Sequence, residues 1–338
     1  MPRRHPMTNP HAPLTRPRKT RMALLALVAA FTTSLVSAQA WPAKPVTLVV
    51  GTPAGGSVDA YGRALADQLA RQTGGTFLVE NKGGANGNLS AEQVKNAAAD
   101  GHTLWISTQA MFTINPSVYP AMRWKQADFK PIAKGIESPL VLVTHPSVPA
   151  KTLPDLVKWV SANPGKVSYA SFSPGTPSHF LGFQLNERFK LDMVHVAYKG
   201  SAPQIADLLG GQVLLGFTQL QAALPHVQSG KLNAIAVTSK ERTKFMPQVP
   251  SLAELGHPDL SSTVWFGLMA PSATPRAVLE QIQTATVKAQ GNADYKAKLE
   301  AQGFDVPQES GDEFAATIAG ETARWAQVVK ATGFRANE

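Results

Sequence analysis

Short runs of apolar residues alternate with glycine-rich or polar turns along this chain, and the first such unit sets the pattern. Val46–Val50 is apolar and β-branched, which is typical of a buried strand. Residues 51–56 contain three glycines and a proline, so they break any regular structure. Val58, Leu65 and Leu69 then recur at helical spacing. The pattern predicts a strand, a glycine turn and a helix.

The start of this first predicted helix has the chemistry of an anion site. Gly56 or Ser57 suits the N-cap position, and Asp59 falls in the first turn, where a carboxylate complements the positive end of the helix dipole. Adjacent glycines leave backbone N–H groups unshielded, so a small anion could lie against the helix start. The stretch matches neither a nucleotide P-loop nor G-x-G-x-x-G. A tight α/β turn without any ligand therefore stays the alternative at this point.

The same unit recurs twice before residue 110. Two further strands are predicted at 76–80 and 103–107, with a glycine-rich turn at 81–88 between them. Successive units of this kind form a parallel sheet with helices on both faces. Ligands of such sheets bind at the carboxyl ends of the strands. We therefore expect the loops at 51–56, 81–88 and 107–113 to lie together at that edge.

Beyond an irregular, proline-containing stretch at 114–136 the pattern starts again, which indicates a second domain. Apolar strands are predicted at 139–144, 167–171, 193–197, 213–217, 232–238 and 263–269, followed by a long terminal helix at 312–332. We interpret the strand at 232–238 as the return crossing. Residues 41–142 together with 238–338 then form lobe 1, and residues 143–237 form lobe 2. Two α/β lobes joined by two crossing strands form a hinged clamp around a cleft.

Residues 1–40 have the pattern of an export signal. Six arginines and lysines precede an apolar run at 22–36, and Ala38-Gln39-Ala40 fits a small-x-small cleavage site before Trp41. The apolar run is short for a membrane span, although a retained N-terminal anchor is the alternative. We predict an exported, periplasmic protein that begins near Trp41.

Removal of this leader changes what the composition implies. The whole chain has 32 Lys and Arg against 23 Asp and Glu, a formal charge of +9. Without the six cations of the leader the charge is +3, which gives no support for nucleic-acid binding. Cysteine is absent, which excludes disulfides, thiolate catalysis and Cys-ligated metals. No compact His/Asp/Glu spacing suggests a metal site, so we expect neither metal nor cofactor.

With these segments in view, the chain resembles the Bug/TctC family, the extracytoplasmic solute receptors of tripartite tricarboxylate transporters. The resemblance covers essentially all of residues 41–334, and the number and order of the matching segments make it specific. These segments are Trp41-Pro42-x-Lys44-Pro45, Pro53-x-Gly55-Gly56-Ser57-x-Asp59, Val79-Glu80-Asn81-Lys82-x-Gly84-Ala85-x-Gly87-Asn88, Asp100-Gly101-x-Thr103-Leu104, Ile114-Asn115-Pro116, Tyr169-Ala170-Ser171, Gly175-Thr176-x-Ser178-His179, Val194-His195-Val196-x-Tyr198-Lys199-Gly200-Ser201-Ala202, Gly210-Gly211-Gln212, Gly230-Lys231-Leu232 and Ala236-Val237-Thr238-Ser239.

The resemblance implies a type II periplasmic-binding-protein fold that holds a small carboxylate between two lobes and delivers it to membrane transporter subunits. Such receptors typically hold the carboxylate with backbone N–H groups, hydroxyl groups and bound water rather than with a cationic side chain. The sequence agrees, because Lys199 is the only lysine or arginine among the ligand-binding residues predicted below. We expect a monomer without enzymatic activity. The predicted ligand-binding residues are Thr52, Ala54, Gly55, Gly56, Ser57, Asp59, Thr108, Gln109, Ser173, Gly175, Thr176, Ser178, His179, Tyr198, Lys199, Ser201 and Thr218.

The chain departs from the family pattern at a few of these positions. Thr52 stands where the family often has an aromatic residue, and Ala54 where it often has a second proline. Leu214 and Thr218 replace acidic residues that are common in that segment. A missing acid at the edge of the cleft weakens the case for a ligand with a cationic amine. It favours a plain carboxylate, including a bulky or aromatic one.

Two other function classes compete with a transport receptor. An exported hydrolase would need an activated nucleophile, but the chain lacks G-x-S-x-G, H-E-x-x-H and cysteine. Ser178 and His179 are adjacent in a predicted helix, so their side chains point apart, and His195 in an apolar strand fits a core histidine. A receptor that presents its ligand to a membrane sensor kinase has the same sequence features as a transport receptor.

Overall fold

The computed structural model of this protein describes residues 1–3 and 41–336. Apart from its first three positions, the predicted export signal at 1–40 lies outside the described residues. Its cleavage before Trp41 therefore stays a prediction.

Three parallel strands form one end of the sheet, as predicted for lobe 1. β1 (Val46–Val50) lies between β2 (Phe77–Asn81) and β3 (Thr103–Thr108), and all three run in the same direction. β9 (Thr263–Pro271) is antiparallel to β3 and continues the sheet toward lobe 2.

Lobe 2 repeats this arrangement at the other end of the sheet. β5 (Ser168–Ser171) lies between β6 (Val194–Ala197) and β7 (Leu215–Gln219), and the three strands are parallel. β8 (Asn233–Val237) pairs antiparallel with the far end of β4. The strand order is β2-β1-β3-β9-β4-β7-β5-β6, with β8 beside β4.

β4 (Phe129–Thr144) is the long strand that joins the two lobes, and it corrects the prediction of irregular structure at 114–136. Its 16 residues pair with β9 along the first part and with β7 and β8 along the second. Pro131 argued against a strand because proline cannot donate a ladder hydrogen bond. The structure accommodates it where the β4–β9 register shifts, between Pro131 and Ala133, which leaves the rest of the strand paired.

The helices cover both faces of the sheet. They are α1 (Ser57–Thr73), α2 (Asn88–Lys95), α3 (Asn115–Val118), α4 (Leu153–Ser161), α5 (Pro177–Phe189), α6 (Ser201–Leu209), α7 (Leu220–Gln228), α8 (Arg276–Gln290), α9 (Ala293–Glu300) and α10 (Gly311–Thr332). A π-helical turn, Ala110–Ile114, joins β3 to α3. Among the described residues, none of these helices has the length and hydropathy needed to cross a membrane.

Each lobe has apolar clusters on both faces of its part of the sheet. In lobe 1, α1 packs on one face through Tyr61, Leu65 and Leu69, and an aromatic cluster around Trp105 and Trp265 fills the other. The clusters of lobe 2 are built around residues such as Leu142 and Phe217 on one face and Val141 and Ile205 on the other. A smaller cluster of Phe180, Trp325 and Val329 joins α5 to α10.

The strand that returns from lobe 2 to lobe 1 is β9 rather than the predicted strand at 232–238. β8 pairs only with residues 141–144 of β4, whereas β9 pairs with residues 129–139 of β4 and with β3. Leu252 and Leu260, which lie between β8 and β9, pack in a lobe 2 cluster. The lobe limits given above stay a prediction, and this packing favours a limit near residue 262 in place of 237.

Candidate functional site

A large cleft of about 1550 Å³ lies at the carboxyl ends of the parallel strands. Its walls come from the segments that follow β1, β2 and β3 in lobe 1 and β5, β6 and β7 in lobe 2. The sequence-based expectation for the loops after β1, β2 and β3 is confirmed, because residues 51–58 and 84–87 together with Thr108, Ala110 and Met111 all contribute to one surface.

Eleven of the seventeen predicted site residues line this cleft. From lobe 1 they are Thr52, Ala54, Gly55, Gly56, Ser57 and Thr108, and from lobe 2 they are Ser173, Thr176, Tyr198, Lys199 and Ser201. The other six do not reach the cleft surface: Asp59, Gln109, Gly175, Ser178, His179 and Thr218. Direct contact with a ligand stays a prediction for the first group, while the second group lies behind the walls.

Asp59 braces the glycine turn from inside α1. Its Oδ2 accepts a hydrogen bond from the Gly55 N–H at 2.9 Å and another from Arg63 Nε at 3.1 Å. Burial acts to raise the pKa of the Asp59 carboxyl, but the bonds from Arg63 and Gly55 lower it below its ordinary value. The Gly55 N–H is therefore committed to the protein, and the free donors of this turn begin at Gly56.

The start of α1 presents backbone donors to the cleft. Gly56 is the N-cap, and within the described residues no side chain caps the helix there. The first N–H groups of a helix have no intrahelical partner, so those of Gly56, Ser57 and Val58 remain available at the cleft wall.

Two further helices begin at the opposite wall in the same way. α6 starts at Ser201 after Gly200, and α7 starts at Leu220 after Gln219. No side chain from the described part of the chain caps either helix start, and Gly200, Ser201 and Gln219 all line the cleft. Helix starts carry partial positive charge, so three of them face one cavity.

The side chains that line the cleft leave this positive potential unopposed. Among the described lining residues none is Asp or Glu, while Lys199 and His226 are the basic side chains. Tyr198 presents its ring, because its hydroxyl donates to Asp207 Oδ2 at 2.8 Å. Burial and this carboxylate raise the pKa of Tyr198 to about 12. The Ser201 hydroxyl donates to Gln219 Oε1 at 3.0 Å, so these two side chains brace each other across the wall.

The residues behind the lobe 2 wall hold the 172–176 loop, which connects β5 to α5. The Ser178 hydroxyl accepts from the Phe172 N–H at 3.1 Å. Nδ1 of His179 accepts from the Gly175 N–H at 3.3 Å, and the His179 ring stacks on that of His195 at 3.9 Å. Burial, and secondarily any charge on His195, lower the pKa of His179 to about 3, while burial lowers that of His195 to about 4. These imidazoles are neutral packing groups.

Gln109 and Thr218 are fully buried at the ends of β3 and β7. Gln109 directly precedes Ala110, which does line the cleft. Thr218 lies within β7, where it pairs with Val141 of β4. Their side chains support the sheet edge without forming its surface.

Sequence reasoning missed part of each wall. In lobe 1 it named the glycine-rich turn at 81–88 but assigned no ligand contact to Gly84–Gly87, although that turn was a sufficient signal. In lobe 2 it missed one face of α7, formed by Gln221, Ala222, Pro225 and His226. It also missed apolar residues of the wall, including Met111, Phe172, Ile205 and Phe266.

Comparison with known proteins matches this chain to a family of receptors. A family model described as the tripartite tricarboxylate transporter family receptor, TctC, matches residues 61–334. The protein BugT of Bordetella pertussis is 35% identical over 302 residues, which cover 88% of this chain and 92% of BugT.

Two similar solved structures contain a bound carboxylate. R. palustris Rpa4515 with adipate is 30% identical with a TM-score of 0.79, covering 87% of this chain and 99% of that chain. MatC from Rhodopseudomonas palustris with bound malate is 29% identical with a TM-score of 0.75, and the match covers 86% of this chain and 100% of MatC.

These matches confirm three predictions made from the sequence. The resemblance to Bug/TctC receptors and the two-lobe, periplasmic-binding-protein-like α/β fold are both confirmed. The prediction that the chain is not an enzyme is confirmed as well, because the members of this family are solute-binding receptors. With the family model matching most of its length, this chain belongs to the TctC family of tripartite tricarboxylate transporter receptors.

Proposed function

We propose that this chain is a periplasmic receptor that captures a small carboxylate in the cleft between its lobes and delivers it to a tripartite tricarboxylate-type membrane transporter. One observation carries the proposal: three helix starts without side-chain caps face a cavity in which no described lining residue is acidic. An anion is the ligand that such a cavity stabilises.

The binding affinity expected from this arrangement suits a transport receptor. A hydrogen bond to a charged group contributes about 1.5–3 kcal/mol. Four or five such bonds, less the cost of association, correspond to roughly micromolar affinity, about −8 kcal/mol. The cationic side chain of Lys199 is then an addition to the backbone donors rather than the anchor.

The residues that line the cleft also indicate which kind of carboxylate binds best. Adipate and malate, bound to two relatives, are dicarboxylates, and the second carboxylate of such a ligand could use the opposite helix starts. The apolar wall formed by Phe172, Tyr198, Ile205 and Phe266 suits a longer or aromatic carbon skeleton better than a short hydroxy acid. We therefore expect adipate-like or aromatic carboxylates to bind more tightly than malate.

A thermal-shift screen tests the proposal. The purified protein is heated with mono-, di- and tricarboxylates, aliphatic and aromatic, and with matched amides that lack the charge. A ligand at 100 times its Kd stabilises the folded protein by about 2.7 kcal/mol, whereas its amide should give no shift. Stabilisation by amides or amines as strong as that by carboxylates would contradict an anion site.

Delivery to a transporter needs a separate experiment in cells. A strain lacking this chain is tested for uptake of the carboxylate found in the screen and for transcription induced by it. Loss of uptake supports transport. Normal uptake with lost induction would favour the alternative of a receptor that presents its ligand to a sensor kinase.

A further inference from the structure

A short tail after α10 contacts both lobes behind the walls of the cleft. The tail comprises residues 333–336 and follows α10. Its aromatic residue, Phe334, lies against lobe 2 behind the 172–176 loop, while the next two residues are bonded to lobe 1. None of the site residues predicted from the sequence lies in this tail.

Phe334 supports the 172–176 loop from the side opposite to the cleft. Its ring meets the His179 ring edge-on, with centroids 5.0 Å apart and planes at 79°. It also lies directly over Gly175, where an added Cβ would come within 3.2 Å of Phe334 Cε1. Gly175 has a positive φ of 70°, so the loop turns sharply at the point that the ring covers.

The loop that Phe334 covers forms part of the cleft wall. Ser173, Pro174 and Thr176 line the cleft. The hydroxyl of Thr176 donates to the Ser173 carbonyl at 2.7 Å, and the Gly175 N–H donates to His179 Nδ1. Because His179 is held between Phe334 and the stacked ring of His195, a shift of Phe334 would release the acceptor that fixes Gly175.

The rest of the tail is bonded to α3 of lobe 1, which lies behind the cleft wall. The Ala336 N–H donates to the Val118 carbonyl at 2.9 Å, and the Arg335 guanidinium donates to the Ser117 carbonyl at 3.0 Å. Both carbonyls belong to α3, which directly follows the π-helical turn Ala110–Ile114. The beginning of that turn, Ala110 and Met111, lines the cleft.

We propose that Phe334 is a positioning residue for ligand binding, which holds the 172–176 loop in its binding shape and links it to α3 of lobe 1. The inference rests on the proposed function of the cleft, since it assigns a role within that site. Phe334 does not touch the ligand; it acts through Gly175 and His179. Its removal should therefore loosen one loop and weaken binding while the two cores stay folded.

The chain offers a closely matched control for this residue. Phe189, at the end of α5, meets His257 edge-on with centroids 5.1 Å apart and planes at 82°. Both phenylalanines are half-buried, and both pair with a histidine. The Phe189–His257 pair lies outside the residues that line the cleft. Phe189→Ala therefore removes the same kind of contact without touching the loop.

The first test measures amide hydrogen exchange and needs no ligand. An aromatic pair contributes about 0.5–1.5 kcal/mol beyond its buried area, which corresponds to roughly 2- to 10-fold in a local opening equilibrium. Phe334→Ala should speed the exchange of the Gly175 amide, which donates to His179 Nδ1, by that factor, while Phe189→Ala leaves it unchanged. Equal exchange in the two variants would overturn the proposal.

The second test measures binding, with adipate as the probe and calorimetric Kd and dissociation rate as readouts. We expect Phe334→Ala to weaken adipate binding roughly 3- to 10-fold through faster dissociation, Phe334→Tyr to restore it, and Phe189→Ala to match the wild type. Wild-type affinity in Phe334→Ala would overturn the proposal. If the wild-type protein binds no carboxylate, the proposed function fails, and the exchange experiment still decides whether Phe334 positions the loop.

Discussion

Gly55 and Gly56 are adjacent, yet their backbones place different demands on a side chain. Gly55 has a φ of 87°, a conformation that disfavours other residues, and its N–H is bonded to Asp59. Gly56 has an extended backbone with φ −86°, and the nearest atom to an added Cβ is the Pro53 carbonyl oxygen at 3.9 Å. A side chain at Gly56 would therefore enter the cleft without straining the fold.

Gly56→Val separates ligand binding from folding at this turn. The branched side chain would cover the N–H groups at the start of α1, so we expect carboxylate affinity to fall at least tenfold, about 1.4 kcal/mol. Valine is a poorer N-cap than glycine, so stability should fall only by about 1 kcal/mol. The measurement is calorimetric Kd alongside melting temperature, with Lys199→Met as the comparison. Abolished binding in Lys199→Met with wild-type affinity in Gly56→Val would show that a cationic side chain is the anchor.

The stacked pair of His179 and His195 makes stability depend on pH in a definite direction. Both pKa values lie below the ordinary 6.5, at about 3 and about 4. Below pH 6.5 the unfolded chain therefore binds more protons than the folded protein. Stability is fully present above about pH 6.5 and is lost as the pH falls toward 4, by up to about 1.4 kcal/mol per pH unit for each histidine.

His195→Gln tests this dependence. The glutamine amide can keep the hydrogen bond to the Ser171 hydroxyl, which His195 Nε2 makes at 2.7 Å, but it cannot take up a proton in this range. Denaturant unfolding at pH 7.5 and pH 4.5 should show a smaller loss of stability in His195→Gln than in the wild type. Equal losses would mean that the pair is not neutral in the folded protein.

At the scale of elements, the joint between the glycine turn and α1 is held by Asp59. Asp59→Ala would leave the Gly55 N–H, whose bond is partly buried, without its charged acceptor and would free Arg63. We expect a loss of about 1–3 kcal/mol in the free energy of unfolding, together with weaker carboxylate binding because the turn shifts. Asp67→Ala, an exposed carboxylate on the same helix, is the control. Equal effects of the two substitutions on unfolding and on Kd would contradict a bracing role.

The elements of this fold were predictable where their pattern is local. β1, β2 and β3 follow from apolar runs and glycine turns, and the carboxyl-end rule located the loops that line the cleft. β4 was missed over residues 129–136 because Pro131 argues against a strand, and only the paired β9 shows where the register shifts to admit it. Neither the proline nor the hydrophobic periodicity of this segment shows where the register shifts.

Most of the site residues that could not be predicted from the sequence depend on contacts between distant segments of the chain. One face of α7 lines the cleft because of how the helix packs on lobe 2, and its apolar residues fit an ordinary core pattern equally well. Phe334 meets Gly175 across more than 150 positions of sequence. Ser178 and His179 were expected at the ligand and instead hold the loop behind it, since helix α5 turns both side chains away from the cleft.

At the scale of the whole molecule, contacts of Trp41 favour the prediction that the exported chain begins near this residue. Trp41 is buried, its indole N–H donates to the Gly101 carbonyl at 2.8 Å, and its backbone N–H donates to Gln281 Oε1 at 2.8 Å. Cleavage shortly before Trp41 would keep all of these contacts. N-terminal sequencing of the exported protein should start within a few residues of Trp41, and full-length protein in the membrane fraction would contradict this.

The two lobes are connected through β4 and β9, and a largely buried ion cluster links β4 to the segment before α10. Lys134 on β4 pairs with Glu137 at 2.8 Å and with Glu309 at 3.2 Å. Burial alone would lower the pKa of Lys134, but the two carboxylates raise it, so the ammonium stays charged. Bending is therefore expected beyond this cluster, near residues 139–140 of β4, where pairing changes from β9 to β7.

Closure of the lobes about this junction should accompany binding. The cleft volume of about 1550 Å³ exceeds the roughly 300–1,000 Å³ of typical ligand pockets, so a small carboxylate can touch both walls only if they approach each other. A compact chain that starts at Trp41 and has 298 residues (338 − 40) would have a radius of gyration of about 19 Å, and small-angle scattering should show a decrease of a few per cent when a carboxylate saturates the site. Gly56→Val is the control, because it should bind weakly and keep the larger radius under the same conditions. An unchanged radius in the wild type at demonstrated saturation would mean that the ligand is held by one wall, and that the cleft does not act as a clamp.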